Sequence, residues 1–312
     1  GREGYEYAAI LHAHFSGNNP DNLEGTLSID SLEANLPRDT FFMPQLAINA
    51  TNTREGQKLI TVESEAIQAR IEGKYTYETL PTSLVQILGK YLPSLFAKKQ
   101  TREVDNEFTF DVTLADSKFY PYVLDLPLKV EPAAKFKGFI SNKEGRISIT
   151  GDVPNLTYGE DRYEIGQFRC YNSPSGIMAN FSIAKQMADN ARVTLMLDTW
   201  ATNDTLNTTF SWGNDSPVTY AGSIEAETTF GQTTGKKGNN LQAEVNIKPS
   251  EIIINDTVWD VTASTVRLDS GYVDIQNLGA RHGQQYLDIN GRLTDKTSDS
   301  LIIDLNRIAA EY

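Results

Sequence analysis

Apolar side chains return at every second position through most of this chain, and that period of two limits its fold more than any other feature. It is seen in Leu27 and Ile29; in Leu46 and Ile48; in Ile67, Ala69, Ile71, Tyr75 and Tyr77; and in Phe108, Phe110, Val112 and Leu114. It returns in Val218, Tyr220, Ile224, Ala226 and Phe230, and in Leu241, Ala243, Val245 and Ile247. Successive side chains of a strand point to opposite faces, so each run predicts a strand with one apolar and one polar side. Turn-forming clusters separate the runs: "SGNNPDN" (16–22), "SNKEG" (141–145), "TND" (202–204), "GNDSP" (213–217) and "GQTTGKKGNN" (231–240). These spacings suit antiparallel hairpins and meanders. The regular strand–helix alternation of a parallel α/β sheet is not found, so the expected class is all-β and mainly antiparallel.

One stretch follows a different period. In "TLPTSLVQILGKYLPSLFAKK" (79–99), Leu80, Leu84, Ile87, Leu88, Tyr91, Leu92 and Leu95 fall at helical spacing. Thr79 suits the N-cap and Pro81 the first turn, Pro93 ends or kinks the helix, and Lys98 and Lys99 follow its negative end. This amphipathic helix, over 80–96, is read as a lid or end plug built on Leu84, Ile87, Leu88, Tyr91, Leu92 and Leu95. As a membrane-surface helix it would have only Lys90, Lys98 and Lys99 as basic residues. A shorter helix is expected around "AKQMADNA" (184–191). The helix divides the chain into a strand segment over 1–100 and a segment of repeated hairpins over 101–312, with one continuous sheet as the alternative.

A repeat also emerges, with an apolar residue two before a glycine and usually another two after it: "LEGTL" (23–27), "IEGKY" (71–75), "FKGFI" (136–140), "YAGSI" (220–224) and "INGRL" (289–293). Glycine inside a strand marks a bend, a bulge or a close approach of another group. Five in phase with the apolar face predict a strongly curved sheet.

The apolar faces must then be covered. The runs suggest about 20 strands, whereas open twisted sheets rarely exceed ~10 without curling, splitting or flattening. Two sheets stacked as a closed β-sandwich solve the problem, and so does one long sheet folded like a taco so that its apolar face lines a groove. Both satisfy the same periodicity. In the groove reading the lining is Phe108, Phe110, Val112, Leu114, Val218, Tyr220, Ile224, Leu241, Val245, Ile247, Leu287, Ile289, Leu293, Leu301, Ile303 and Leu305. A guest acyl chain of roughly 14 methylenes would gain on the order of 10 kcal/mol there before ordering costs. An exposed apolar trough would also favour a homodimer through the groove.

Chemistry-bearing constellations are missing. The formal charge of −13, from 41 acidic and 28 basic residues, opposes binding to nucleic acid. The single cysteine, Cys170, excludes an internal disulfide framework and reads as a small buried hydrophobe. His12 and His14, two apart on a strand, share a face but have no identifiable third ligand, and His282 lies in the loop-like "GARHGQQ" (279–285). No nucleophile elbow, zinc-protease, P-loop or dinucleotide motif occurs, and the carboxylates are scattered. The expectation is therefore a non-enzyme without catalytic residues, metal or cofactor. Trp200, Trp212 and Trp259 suggest either strand packing or, in a rival reading, the stacking platform of a surface or secreted carbohydrate- or protein-binding sandwich. Asn-x-Thr tripeptides at Asn203 and Asn255 are expected by chance in so Asn- and Thr-rich a chain. "GREGYEYAAI" has neither the charged nor the apolar region of a signal peptide, and no run reaches the ~18 apolar residues of a membrane span. The start at Gly1 and the stop at "LNRIAAEY" read as a piece of a longer protein.

Two stretches carry a resemblance. "LITVESEAIQARIEGKYTYETLPTSLVQILGKYLPSLF" (59–96) is similar to the strand–glycine–strand–helix passage of the bacterial AsmA-like envelope proteins related to TamB, the inner-membrane subunit of the translocation and assembly module. "VWDVTASTVRLDSGYVDIQNLGARHGQQYLDINGRLTDKTSDSLIIDL" (258–305) resembles their repeating unit of Trp-bearing strand, "I-x-N-L" strand and apolar-x-Gly hairpin. The resemblance implies a taco-like sheet in the periplasm, within a longer protein anchored in the inner membrane. It implies phospholipid or another acyl-chain ligand as cargo toward the outer membrane, and help in outer-membrane protein assembly. An outer-membrane barrel partner would be met through regions outside this chain. The family's N-terminal membrane anchor has no counterpart in this sequence.

Overall fold

A computed structural model describes residues 6–36, 39–53, 56–96, 104–187, 191–235, 238–269, 271–294 and 299–307. The alternating runs form strands, and every described pairing is antiparallel. The all-β expectation is met. The chain divides into two compact units, 1–87 with 102–171 and 88–101 with 172–312. This is not the expected division at residue 100. The strand that follows the helix pairs back onto the strand that precedes it, which joins 102–171 to the first unit.

The first unit begins with β1 (Glu6–Ser16), β2 (Glu24–Leu36), β3 (Asp39–Asn52), β4 (Lys58–Ser64) and β5 (Ile67–Lys74), followed by α1 (Leu80–Tyr91). After α2 (Pro93–Phe96), which belongs to the second unit, it continues with β6 (Glu107–Leu114), α3 (Phe119–Tyr122), β7 (Leu128–Val130), β8 (Ala134–Ser141), β9 (Arg146–Tyr158) and β10 (Asp161–Ser173). Its sheet runs β1-β2-β3-β4-β5-β6-β8-β9-β10, with β7 beside the end of β9.

Two strand pairs in this sheet change phase midway. Ser31 (φ 52°) falls opposite Pro44, between the pairs Asp30–Gln45 and Leu32–Met43. Ile165 (φ 54°) falls opposite Pro154, between Glu164–Asn155 and Gly166–Val153. A left-handed residue facing a proline, which cannot donate to the ladder, reverses the alternation without moving the register. Along β2 the odd positions 25, 27 and 29 are half-buried, but beyond Ser31 the buried residues are Leu32 and Ala34. These beyond-kink residues join Phe41, Met43, Ala66, Phe119 and Tyr120 in a core cluster, with Ile29, Leu46, Ile67 and Leu114 against it. The Tyr120 hydroxyl donates to the Ala66 carbonyl at 2.6 Å, and burial pushes its pKa up to about 12. Asp39 accepts from Lys118 Nζ and Tyr122 Oη, each at 2.6 Å, tying α3 to β3.

The helix forms where its period predicts, but Pro93 divides it into α1 and α2, and the boundary between the units falls within α1, after Ile87. Its buried face differs from the expected one. Leu84 is 37% exposed, whereas Ser83 is fully buried. Ser83 Oγ accepts from Asn106 Nδ2 at 2.6 Å and donates to the Thr79 carbonyl at 3.2 Å. Asn106 Oδ1 also accepts from the Thr76 N–H at 3.1 Å, and Asn142 Nδ2 donates to the Ser83 carbonyl at 3.0 Å. A polar seat at the start of β6 thus takes the place of an apolar contact. Ile87, Tyr91 and Leu92 are buried as expected, and Leu88 and Leu95 are half-buried. Tyr77 lies in a 3-10 turn (Tyr77–Thr79) rather than in a strand, and Thr79 directly precedes α1, its Oγ1 donating to the Thr76 carbonyl at 3.2 Å. Lys98 and Lys99 lie outside the described residues.

The second unit contains β11 (Gly176–Gln186), β12 (Arg192–Thr202), β13 (Thr205–Asn214), β14 (Ala221–Gly235), β15 (Gly238–Ile247), β16 (Ser250–Ile254), β17 (Thr257–Val261), β18 (Ser264–Asp269), β19 (Tyr272–His282), β20 (Gln285–Thr294) and β21 (Leu301–Asn306). Its order is β11-β12-β13-β14-β15-β18-β19-β20-β21. The β16–β17 hairpin joins it between β14 and β19. Asn203–Asp204 and Asn255–Asp256, all at positive φ, form two-residue hairpin turns, which gives both Asn-x-Thr tripeptides a conformational role. Asp204 accepts from the Ser94 N–H at 2.7 Å and from Ser94 Oγ at 2.9 Å, fastening α2. The helix expected over 184–191 is not formed in its described part, because Ala184–Gln186 continue β11; residues 188–190 lie outside the described residues.

Candidate functional site

The register of the first unit sorts residues into rungs that cross all nine strands of its main sheet. One rung reads Phe15, Gly25, Ala50, Ile60, Ile71, Phe110, Gly138, Ile149 and Cys170. The next reads Ala13, Leu27, Ile48, Val62, Ala69, Val112, Phe136, Gly151 and Phe168. Neither contains a charged, hydroxyl or amide side chain. Ala13 and Phe15, on the edge strand β1, are exposed; Ala50, Gly151 and Cys170 are buried; all the others are half-buried. Burial also pushes the Cys170 thiol pKa up.

Each side of this lane is closed differently. Beyond one side stands the cluster of Leu32, Met43, Phe119 and Tyr120. Beyond the other, Phe108, Ile140 and Ile147 are buried, and the Tyr75 ring meets Phe108 edge-on at 5.7 Å. There Lys58, 9% exposed, lies 4.8 Å from the Tyr77 ring centroid and bonds Asp21 at 2.8 Å. The opposite face is mainly polar, with His14, Thr26, Asn49, Thr61, Arg70, Asp111, Lys137, Thr150 and Arg169 in one rung and Leu59 and Phe139 as apolar members of the next. Lys137 Nζ is 2.9 Å from Asp111.

The second unit repeats the pattern less strictly. Ile177, Ala201, Leu206, Thr228, Val245, Val266, Ile275, Gly291 and Leu301 form a nine-strand rung in which Thr228 is the polar member. Phe230, Ala243, Leu268, Val273 and Leu293 form a shorter one. On the other face Glu244, Arg267, Asp274 and Arg292 alternate in sign across four strands, with Arg267 Nε 2.7 Å from Glu244 and Arg292 Nε 3.3 Å from Asp274.

The in-phase glycines serve two purposes. Gly73, like Gly25 and Gly291, has a positive φ within its strand, and a Cβ there would overlap the Glu107 carbonyl oxygen of β6. Gly138 and Gly222 instead seat aromatic rings. The Phe110 ring occupies the position of a Gly138 Cβ, and Trp212 and Ile252 close on Gly222 to 2.6 and 2.7 Å. Gly151, outside the repeat, does the same for Phe136 at 2.8 Å.

Of the expected lining, Phe108, Phe110, Val112 and Leu114 share the apolar face of β6, although Phe108 is buried at its margin. Ile224 pairs with Phe210, Val245 with Thr228 and Val266, and Ile247 with Ala226. Leu241 is 39% exposed. Leu287 and Ile289 meet Leu305 and Ile303 across the hairpin, and Leu301 and Leu293 belong to the rungs above. Ile303 and Leu305 are about 60% exposed because β21 is an edge. Val218 and Tyr220 are not in a strand. Asn214 captures their segment, its amide donating to the Val218 carbonyl at 2.7 Å and its Oδ1 accepting from the Tyr220 N–H at 2.8 Å. The rungs also include Ile48, Ile60, Phe136, Ile149 and Phe168, which are not among the expected lining. Their signal was the same alternation, interrupted by glycines that hold the ring seats.

The tryptophans share no platform. Trp212 and Trp259 lie on one rung through Gly222 and Ile252, and Trp259 is 4% exposed. Trp200 pairs with Met178 and Asn207, on the other face of β12 from Leu195, the partner of Trp212. His12 and His14 face Ser28 and Thr26, with His12 Nε2 3.6 Å from Asp30. His282 ends β19 rather than lying in a loop, its Nδ1 2.8 Å from the Val258 carbonyl. Among the described residues no group of three or more His, Cys, Asp or Glu side chains is placed to hold a metal ion. No helix among them is long and apolar enough to cross a membrane.

No protein-family model, curated protein or solved structure matches this chain.

Proposed function

We propose that this chain is a non-enzymatic lipid carrier whose apolar lane holds the acyl chains of phospholipid while its polar face stays in water. The carrying observation is the pair of nine-residue rungs without a hydrophilic side chain, half-buried across the first unit. Nine strands about 4.8 Å apart make the lane roughly 38 Å long. Burial in it would gain ~0.8 kcal/mol per methylene, offset by the cost of ordering the chain. In this reading the protein is a periplasmic segment of a TamB/AsmA-like envelope protein, moving phospholipid toward the outer membrane or assisting outer-membrane protein assembly.

The test places a photoreactive phenylalanine at Ile71 or Val112 in the lane, and at Arg70 or Asp111 on the polar face, and irradiates after expression in a bacterial periplasm. Phospholipid should be cross-linked from the first pair and not from the second. Equal labelling of both faces, or none from either, overturns the proposal.

A further inference from the structure

The lane has an apolar floor, but large rings stand on that floor at Phe110 and Phe136. A phenylalanine upright on a strand would project well above its isoleucine and valine neighbours. Here neither ring faces a side chain on one flank, because the register sets Phe110 opposite Gly138 and Phe136 opposite Gly151. The rings lie over those glycines: the space of a Gly138 Cβ is taken by Phe110 Cε1 and Cζ, and a Gly151 Cβ would meet Phe136 Cδ1 and Cε1 at 2.8 and 2.9 Å. The two seats are on adjacent rungs and adjacent strands, so together they lower the stretch of the lane between β6 and β9.

The chemistry of the occupant follows from what the floor omits. A peptide or a polar small molecule is oriented by a few placed hydrogen-bonding groups. Eighteen successive positions here offer none from side chains other than the Cys170 thiol. Nothing fixes a register along the lane, which suits a ligand held by apolar area alone and free to slide. We infer that Gly138 and Gly151 set the depth of the lane for linear acyl chains, by letting Phe110 and Phe136 lie flat. The inference rests on the lipid-carrying reading above and adds the residues that admit the chain.

Gly138→Ala tests it. The new methyl meets the far edge of a ring that can turn about its own side-chain bonds, so the sheet holds while the ring is lifted into the lane. The assay is phospholipid retained after incubation with phosphatidylcholine vesicles and re-purification, counted by native mass spectrometry, with thermal melting beside it. Wild type should retain lipid. Gly138→Ala should retain at least fivefold less at a melting temperature that still shows a folded protein, and Gly138→Ala/Phe110→Ala should restore retention because no ring remains to be lifted. If Gly138→Ala does not fold, Phe110→Trp raises the floor over an intact glycine and should show the same loss. A folded Gly138→Ala or Phe110→Trp protein that retains lipid like wild type overturns the inference while leaving the carrier reading standing. Loss that removal of the ring does not reverse also overturns it. A wild-type protein that takes up no lipid overturns the carrier reading itself, and this inference with it.

Discussion

Replacing glycine by alanine inside a strand should have opposite effects at Gly73 and Gly231, and the difference can be worked from their surroundings. Gly73 has φ 149°, and an added Cβ would overlap the Glu107 carbonyl oxygen and come within 2.5 Å of Phe108 Cα. Holding a non-glycine residue in that conformation costs about 1–3 kcal/mol. Forcing a methyl against backbone that is locked in a ladder costs a further 1–3 kcal/mol or so. Alanine returns about 0.4–1 kcal/mol by restricting the unfolded chain. The net loss is roughly 1–5 kcal/mol, which at about 2–4 °C per kcal/mol lowers the melting temperature of a domain of this size class by roughly 2–20 °C. At Gly231, in β14, φ lies outside the left-handed range and no atom is within 4 Å of an added Cβ. Only the unfolded-state term remains there, and Gly231→Ala should raise stability by about 0.4–1 kcal/mol. Thermal unfolding followed by circular dichroism measures both. If Gly73→Ala melts within a degree of wild type, or if the two variants shift alike, the account of the in-strand glycines is wrong.

Two further outcomes are expected. Asn106→Leu leaves the Thr76 N–H and the Ser83 hydroxyl without their buried partner, and should lower stability by about 2–4 kcal/mol in urea unfolding, more than Asn106→Ser, which keeps one polar group. The Asp39 carboxyl is held down to about 2 by hydrogen bonds from Lys118 first, then Tyr122, then the Thr40 N–H. A carboxyl depressed in the folded state contributes stability above its ordinary value of 3.8, and loses it as pH falls toward 2. Urea midpoints should therefore drop between pH 4 and pH 2, and Asp39→Asn should flatten that drop; an unchanged slope would show that the carboxyl does not couple to folding.

The strands were readable because one face is apolar and the other polar, and alternation survives in sequence whatever the partner strand. β6 is an example: Phe108, Phe110, Val112 and Leu114 keep the phase from end to end. Register was not readable. It arises from pairings such as Ile71 with Phe110 and Phe110 with Gly138, each of which depends on turn lengths and on where a neighbouring strand stops. The lane was legible only as separate runs, never as rungs. The polar seat of α1 was hidden for a related reason, since Ser83 on a helix normally signals a solvent face, and Asn106, 23 residues away, joins the Thr79 carbonyl in making its burial tolerable. Val218 and Tyr220 were misplaced because their alternation matches a strand, while the Asn214 side chain takes the hydrogen bonds that a ladder would have used.

The kink at Ser31–Pro44 gives one pair of strands two duties. Before the kink at Ser31, β2 and β3 supply Leu27 and Ile48 to the lane; after it they supply Leu32 and Met43 to the cluster around α3. Lane and side wall are cut from a single ribbon, so neither can be deleted as a module while the other is kept. A lineage could lengthen the lane by adding hairpins at an edge, but it could move the side wall only by moving a proline and its partner together.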